Sequence, residues 1–371
     1  MKAIVLLVNF LPALAHISRG VAARAALPVL MNTHLIASQD ALTLSATNLE
    51  QGLTIWIKAE VNEEGEVTVP AKLLHEFIAS LSPGEIVLTG TDTSLTCESK
   101  RFRATIMGIP ASEFPPLSEF PEEGELGLPA SGLVSMVDEV SFAASSDEGR
   151  QVLTGILFEA QKDVLSLVAT DGYRLSKTIL PGVEVARPIT SVIPARSMNE
   201  LVRIFGDKKE ETLKIAFTQN QLMLHAPSVT FSTRTIDGQF PPYQKIIPTQ
   251  FTTRAVVDRE YFLKAARVAS VFAKDSANII KVIIKPGDLE PLQLAANTTQ
   301  IGDEVGRVEA SVSGDAVEIA FNSRYMLDVL GAIRTSQVSL ELSGPLSPGM
   351  FRPVGDEHAL HIIMPVRTQT T

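Results

Sequence analysis

Apolar and polar residues alternate along several stretches of the chain, and these stretches end in a small polar residue. Three such runs close with Leu44–Asn48, Leu167–Asp171 and Leu294–Asn297. An alternation with a period of two places every second side chain on one face of a sheet, and Asn or Asp at a strand end favours a tight turn. The pattern therefore predicts antiparallel strands that end in similar Asx turns.

Other stretches carry apolar residues at steps of three and four, which is the spacing of a buried helix face. In one of them we expect Leu263, Ala266, Val268 and Val271 to pack on the core. The pattern predicts helices over residues 10–24, 71–81, 130–145, 195–206, 259–274 and 322–333.

These elements recur at a nearly constant distance along the chain. The segment 69–77, with Lys72, returns as 193–201, with Arg196, and more weakly as 321–329, with Arg324. The three cations are 124 and then 128 residues apart. The tripeptide Phe-Pro-Pro at 114–116 likewise returns at 240–242. Self-similarity at a fixed period indicates a repeated structural unit.

The repeat predicts the fold class. Each unit holds two helices, with strands on both sides of the second helix, which is an α+β arrangement of helices packed on antiparallel sheet. We therefore predict three similar domains, over residues 1–122, 123–249 and 250–371.

The first residues fit two interpretations. Lys2, an apolar run and the ending Ala13-Leu-Ala15 have the layout of a secretory signal. The alternative is a strand over residues 2–8 and a helix from Phe10 to Arg24. The repeat favours the second interpretation, because the other two units also begin with a helix. No apolar run reaches the roughly 20 residues of a membrane span.

Composition and charge narrow the functional classes. Hydrophobic residues make up 45% of the chain and charged residues 20%, which predicts that the whole chain folds. The single cysteine, Cys97, cannot form an internal disulfide, which is typical of a reducing cytosol. The net charge of −10 by itself argues against a nucleic-acid partner, because non-specific DNA binding depends on Lys and Arg.

The sequence lacks the short motifs of nucleotide-binding loops, serine hydrolases and zinc proteases. His358 and His361 lie in an alternating run, without Cys or carboxylate partners at the spacing of metal ligands. Asp171-Gly172 and Asp237-Gly238 are typical of turns. We therefore expect no enzymatic activity, no cofactor and no metal.

Several separated motifs, in one order along the chain, resemble the bacterial DNA polymerase III beta subunit, the sliding clamp family. The most specific are Leu153–Glu159 and Val168–Leu175. The others are Arg24–Leu30, Ile236–Tyr243 with Ile246–Pro248, Phe321–Tyr325 and Met364–Arg367. The resemblance covers essentially the whole chain. It implies a DNA polymerase processivity factor in which two chains close head to tail into a ring of six clamp domains, with sheets outside and helices lining the hole.

If the helices face DNA, they should carry cations although the protein is acidic. Lys72, Arg196 and Arg324 share one register in the first turn of the second helices, where the helix dipole disfavours a cation by up to about 1 kcal/mol. Such placements indicate a role outside helix stability. Contacts to phosphates carry no sequence information, so we expect topological, sequence-independent binding of double-stranded DNA. With the positions that the family implies, the predicted DNA-facing residues are Arg24, Lys72, Arg150, Arg196, Arg203, Lys264, Arg267 and Arg324.

The resemblance also implies a groove for partner peptides between the second and third domains. Its apolar, flexible side chains would hold the anchors of a peptide, and Arg174 and Arg367 would pair with polar peptide groups. The matching positions are Leu153, Thr170, Gly172, Tyr173, Arg174, Leu175, Pro241, Ile246, Asn322, Tyr325, Met364, Pro365, Val366 and Arg367.

The partners that the resemblance implies are a second copy of the chain, the DNA polymerase III alpha subunit, the clamp loader, and other polymerases and repair proteins. It implies a cytoplasmic, nucleoid-associated protein that binds no membrane. From the residues alone, a repeat-built scaffold that binds peptides but not DNA, and an enzyme without a known motif, remain open. A scaffold would not need the shared basic register, and an enzyme should show a cluster of paired titratable groups.

Overall fold

The structure is a computed structural model, and it describes residues 1–22, 26–121, 124, 126–206, 211–218, 220–274, 276–298 and 302–367. The side chains of residues 297 and 298 are outside this description.

The helices lie where the apolar periodicity predicts them. In the described part of the chain they are α1 (Leu7–Gly20), α2 (Ala71–Ala79), α3 (Ala130–Val140), α4 (Ala195–Phe205), α5 (Arg259–Ala273) and α6 (Ser323–Ala332). Three predicted bounds are wrong. The first strand ends at Leu6, so α1 begins at Leu7 rather than at residue 10, and α1 ends at Gly20 rather than at residue 24. The helix predicted to residue 145 ends at Val140, because Phe142 packs on the core from a 3₁₀ turn over Ser141–Ala143.

The buried face of α5 differs from the predicted one. Leu263 and Ala266 are buried as expected, but Val268 and Val271 are exposed. The core face instead continues through small residues, Ala269 and Ala273, which let the helix approach its sheet closely. Periodicity identified the helix, but two adjacent apolar stripes left its orientation ambiguous.

The strands before α3 are β1 (Lys2–Leu6), β2 (Asn32–Ser38), β3 (Ala41–Thr47), β4 (Gln51–Lys58), β5 (Glu60–Glu63), β6 (Gly65–Pro70), β7 (Glu85–Thr91), β8 (Ser94–Glu98), β9 (Arg103–Met107) and β10 (Leu126–Pro129). Those up to the start of α5 are β11 (Gly155–Gln161), β12 (Val164–Thr170), β13 (Arg174–Pro181), β14 (Ile189–Pro194), β15 (Thr212–Phe217), β16 (Gln221–Ala226), β17 (Val229–Arg234) and β18 (Thr253–Asp258). The remaining strands are β19 (Ile279–Ile284), β20 (Leu292–Thr298), β21 (Gly302–Val308), β22 (Ala310–Gly314), β23 (Val317–Asn322), β24 (Gln337–Leu342), β25 (Gly349–Pro353) and β26 (Ala359–Ile363).

The chain divides into two compact units. The first comprises Met1–Ser131 and Glu200–Thr235, and the second comprises Gly132–Asn199 and Ile236–Thr371. The first unit contains a sheet in the order β5-β1-β7-β8-β9 and another in the order β10-β15-β16-β17-β4-β3-β2-β6. In the second sheet β17 pairs with β4, which joins strands far apart in sequence.

The second unit repeats this construction. Its larger sheet has the order β14-β11-β12-β13-β26-β25-β24-β18-β22, and its smaller sheet the order β21-β20-β19-β23. The pair β13–β26 here corresponds to β4–β17 in the first unit. Helices α5 and α6 cover a core that includes Phe262, Phe321 and Phe351. Each larger sheet thus runs across a predicted domain boundary, and the boundaries themselves stay a prediction.

Among the described helices, none combines the length and the apolar character needed to cross a bilayer.

Candidate functional site

The turn between β12 and β13 is the centre of the predicted groove. The carboxylate Oδ1 of Asp171 accepts hydrogen bonds from the backbone N–H groups of Tyr173 (2.8 Å) and Arg174 (3.0 Å). The Thr170 hydroxyl donates to the carbonyl of Arg174 (2.6 Å) and accepts from the N–H of Gly172 (3.0 Å). Gly172 has φ +89°, a conformation that favours glycine. The predicted Asx turn is therefore confirmed at this position.

The guanidinium of Arg174 connects this turn to two other elements. Its Nε donates to Asp171 Oδ2 (3.1 Å), Nη1 to Asp328 on α6, and Nη2 to the carbonyl of Phe142. The guanidinium carbon lies 4.6 Å from the centroid of the Tyr325 ring and 5.3 Å from that of Phe142. Only 11% of the Arg174 side chain is exposed. Arg174, which was predicted to pair with polar groups of a peptide, therefore makes its contacts within the chain.

The segment after β26 closes the same region. The N–H of Met364 donates to the carbonyl of Tyr173 (2.8 Å), and the N–H of Val366 donates to the carbonyl of Ala320 on β23 (2.8 Å). These two bonds fix the backbone of residues 364–366 against the Asx turn on one side and the smaller sheet on the other.

The second Phe-Pro-Pro segment lies on the larger sheet of this unit. Phe240 and Tyr243 are buried in a cluster with Leu175, Met350 and Ile362, whereas Pro241 and Ile246 stay exposed. The Tyr243 hydroxyl donates to Glu159 Oε2 (2.9 Å), and burial, together with this carboxylate, raises the pKa of Tyr243. Because Phe240 and Tyr243 anchor the segment to the sheet, Pro241 and Ile246 present apolar surface beside the Asx turn.

All fourteen predicted groove residues belong to the second unit. Contacts bring together the turn residues 170–175, Tyr325 and Met364, and Asn322 caps α6 by accepting from the Arg324 N–H (2.9 Å). The described contacts do not tie Leu153 or Arg367 to this network. By exposure, Thr170 and Leu175 are buried, Leu153, Arg174, Asn322, Tyr325, Met364, Pro365 and Val366 are half-buried, and Gly172, Tyr173, Pro241, Ile246 and Arg367 are exposed.

The predicted basic register is present. Lys72, Arg196 and Arg324 are each the second residue of their helix, and each is exposed. Lys264 and Arg267 are exposed three residues apart on α5, and Arg203 is exposed near the end of α4. Arg24 lies outside the described residues.

Arg150 lies in a different place from the other predicted DNA-facing residues. It belongs to a 3₁₀ segment, Glu148–Thr154, where its Nη1 donates to the carbonyl of Asp171 (2.9 Å) and its Nε to Asp147 (3.1 Å). This cation therefore lies against the Asx turn of the groove rather than on the face of an α-helix.

Two features of the second unit were missed by sequence reasoning. Asp328, which binds Arg174, lies three residues after Tyr325, and that spacing on one helix face was the available signal. His361 is fully buried on β26, and its Nδ1 lies 2.9 Å from the Ser176 hydroxyl on β13. The alternating run gave no signal that this polar side chain would be buried.

The described residues contain no cluster of three or more His, Cys, Asp or Glu arranged to hold a metal ion. Cys97 is buried, and burial raises its pKa to about 12, so its thiol stays protonated at neutral pH.

Comparison with known proteins defines the class to which this fold and site belong. Family models of the DNA polymerase III beta subunit match in order along the chain, the N-terminal domain over residues 1–118, the central domain over 127–242 and the C-terminal domain over 244–367. The chain belongs to the DNA polymerase III beta subunit family, whose members are sliding clamps, non-catalytic processivity factors of DNA replication.

Individual relatives match over nearly their whole length. The chain is 31% identical to the beta sliding clamp of Synechococcus elongatus over 363 residues, which cover 96% of each chain. It is 30% identical to that of Caulobacter vibrioides over 365 residues, 96% of this chain and 97% of the relative.

Solved structures agree with this assignment. The sliding clamp of Bacillus subtilis superimposes with a TM-score of 0.94 at 25% identity, covering 99% of both chains. The clamp of Pseudomonas aeruginosa bound to griselimycin gives 0.93 at 28% identity, covering 99% of this chain and all of the other. The predicted α+β clamp fold, the threefold repeat and the non-catalytic class are confirmed.

Proposed function

We propose that two copies of this chain close head to tail into a ring around duplex DNA and hold DNA-processing proteins through the groove of the second unit. The observation that carries the DNA part is the register of Lys72, Arg196 and Arg324, each exposed at the second residue of its helix. A cation at a helix N-terminus opposes the helix dipole, so a helix gains nothing from it. A phosphate backbone beside these helices would be stabilised by a cation in this position.

The acidic net charge does not oppose this function. A closed ring retains DNA by encircling it, so the cations on the helices need to make only weak electrostatic contacts with the phosphates. Weak contacts that carry no sequence information permit sliding. A scaffold that bound peptides but not DNA would leave the shared register without a role.

Replacing Lys72, Arg196 and Arg324 together by Gln tests the DNA-facing assignment. We expect weaker binding to linear duplex at low salt, because each lost phosphate contact reduces the slope of log affinity against log salt by about 0.9. Fluorescence anisotropy across a salt series measures both quantities.

A control of equal net charge separates position from total charge. Lys162, Lys281 and Lys285 are exposed cations on strands and turns, and replacing them by Gln removes the same three charges. If both triple variants lose the same slope, the helices have no special role in DNA binding.

Ring closure requires a surface at each end of the chain. In the first unit β9 is an end strand of its sheet, and Phe102 just before it and Met107 at its end are exposed. In the second unit β21 is an end strand, and Tyr261, Val268, Leu289 and Val305 are exposed around it. Unpaired end strands with apolar side chains favour pairing with another chain.

Charge and burial support the same pairing. Arg101 and Arg103 lie at β9, whereas Asp303 and Glu304 lie on β21. Burial raises the pKa of Glu304, and its Oε2 is buried without a hydrogen-bond partner among the described residues. A surface cleft of about 1070 Å³, lined by α5 and β21 residues including Tyr261 and Glu304, lies there. A basic end strand of a second copy would complement it.

The groove is the proposed site for partners, among them the DNA polymerase III alpha subunit, the clamp loader, and other polymerases and repair proteins. Tyr173, Pro241 and Ile246 expose apolar surface around a turn that the Arg174 network holds rigid. A preformed apolar surface binds short peptides because little of its own structure must be ordered. A replication factor of this kind works in the cytoplasm, at the nucleoid.

Met364→Ala tests the groove. The side chain is half-buried and its backbone is fixed to Tyr173, so truncation removes contact area without unfolding the segment. We expect at least about tenfold weaker binding to the DNA polymerase III alpha subunit, the usual effect of losing an interface anchor. Surface plasmon resonance measures the affinity, and native mass spectrometry checks the oligomer.

Met31→Ala, a truncation of an exposed methionine in the first unit, is the control. Leu175 is unsuited to this test because it is fully buried, and its truncation would cost about 2–5 kcal/mol of stability. Equal binding by the Met364 and Met31 variants would refute the groove assignment.

A further inference from the structure

The framework that carries the groove is built twice in this chain. In the first unit Asn48 Oδ1 accepts from the N–H groups of Glu50 (3.0 Å) and Gln51 (2.8 Å), as Asp171 does in the second. The Thr47 hydroxyl donates to the carbonyl of Gln51 (2.7 Å), as Thr170 does to that of Arg174 (2.6 Å). The two turns have the same hydrogen bonds.

The strand that closes the turn is also repeated. In the first unit the N–H of Arg234 donates to the carbonyl of Glu50 (2.8 Å). In the second unit the N–H of Met364 donates in the same way to the carbonyl of Tyr173 (2.8 Å). Comparison of the two copies therefore shows which contacts this framework requires in order to fold.

The first copy has a neutral side chain where the second copy has the cation Arg174. Counting from Arg196 and Arg324, Glu200 corresponds to Asp328, and Gln51 takes the place of Arg174. Glu200 pairs with Arg203 on its own helix, whereas Asp328 pairs with Arg174 on a different element. Because Gln51 carries no charge, the first turn forms its hydrogen bonds without an Arg–Asp ion pair. The Arg174–Asp328 ion pair is therefore not required for folding of the turn, which leaves it available for a role in the groove.

We propose that Asp328 is a positioning residue of the groove, which acts by holding Arg174 across the ring of Tyr325. This inference rests on the proposed function of the groove. Asp328 and Tyr325 lie three residues apart on one face of α6. Asp328 forms an ion pair with an edge of the Arg174 guanidinium, and the Tyr325 ring contacts its flat face. Arg, with a planar fork of donors, is suited to both contacts at once.

The contacts of Arg174 hold the Asx turn and α6, which form two walls of the groove, at a fixed distance. Asp171 holds the guanidinium from the turn, and Asp328 and Tyr325 hold it from α6. Without Asp328, Arg174 keeps its bond to Asp171 but loses a charge-assisted bond to α6, and Tyr325 gains freedom to turn. A ligand must then order this wall when it binds, and affinity falls.

The test measures binding of griselimycin, the ligand of the Pseudomonas aeruginosa structure, to the full-length chain by isothermal titration calorimetry. We expect Asp328→Asn and Arg174→Gln each to weaken binding about tenfold, and the double variant to bind no worse than either single one, because coupled residues are not additive. Asp328→Glu should restore most of the affinity, since a carboxylate remains on the helix.

Glu318→Gln is the matched control, because Glu318 is an exposed carboxylate that pairs with Lys281 on the smaller sheet. It should leave the affinity unchanged. The thermal unfolding midpoints of all variants should stay close to that of the wild type, because Asp328 is half exposed and the turn folds in the first unit without the bridge.

The outcomes separate this inference from the function on which it rests. If the wild-type protein binds neither griselimycin nor the polymerase subunit, the groove assignment fails and this inference fails with it. If the wild type binds and Asp328→Asn binds equally well, or the two single effects simply add in the double variant, only the positioning role is overturned.

Discussion

Met107→Glu is expected to convert the protein from a dimer into a monomer and to abolish its retention on circular DNA. Met107 ends β9, the proposed pairing strand, and 67% of it is exposed in the single chain. In a closed ring an apolar surface would cover it, and an unpaired carboxylate there would have to be buried at a cost of several kcal/mol. We expect the dissociation constant of the dimer to rise at least about 100-fold.

Native mass spectrometry and light scattering over a concentration series measure this change, and gel filtration after loading measures retention on nicked circular and linearised duplex. Val8→Glu is the control, because 68% of Val8 is exposed but it belongs to α1 and to neither proposed pairing strand. A Met107→Glu protein that stays dimeric at nanomolar concentration would rule out β9 as the pairing strand. Equal retention of the wild type on both DNA forms would rule out the ring itself.

Acidification is expected to destabilise the second unit through His361. This side chain is fully buried, its Nε2 has no hydrogen-bond partner among the described residues, and burial lowers its pKa from 6.5 to about 4. Between these two values the unfolded chain binds a proton that the folded chain does not. Stability should therefore be unaffected by His361 above pH 6.5, fall as the pH drops from 6.5 towards 4, and lose about 3 kcal/mol in total.

His361→Gln removes this titration while keeping a hydrogen-bonding group near Ser176. Its urea unfolding midpoint should depend less on pH between 6.5 and 4 than that of the wild type, at one fixed protein concentration because the oligomer contributes to stability. His358→Gln, a change at an exposed histidine just before β26, should leave the wild-type pH dependence intact. If the His361 and His358 variants show the same pH dependence, the buried imidazole does not control acid stability.

The predictions from sequence succeeded where a pattern is local and repeated. The Asx turns at Asn48 and Asp171 were predicted because a short polar side chain at a strand end forms the same hydrogen bonds wherever it occurs. The register of Lys72, Arg196 and Arg324 followed from spacing alone. On α5, by contrast, Val268 and Val271 were assigned to the core, because periodicity does not say which of two neighbouring apolar stripes meets the sheet.

In the candidate groove, too, some features were predictable from the sequence and others were not. Its positions follow from the family motifs, but the motifs do not reveal that Leu175 lies beneath the surface or that Arg174 is bound inside the chain. Both facts depend on β26 pairing with β13 and on α6 approaching the turn, and these contacts join residues more than 150 positions apart.

The sequence by itself determined the repeat, the helices, the turns and the family, because each is encoded in short stretches that reappear along the chain. Only the tertiary structure decided that the two corresponding helix carboxylates have different cationic partners. Asp328 pairs with Arg174 of the Asp171 turn, whereas Glu200 pairs with Arg203 on its own helix. The physical reason is that an ion pair depends on which elements lie side by side, and sequence spacing does not state this.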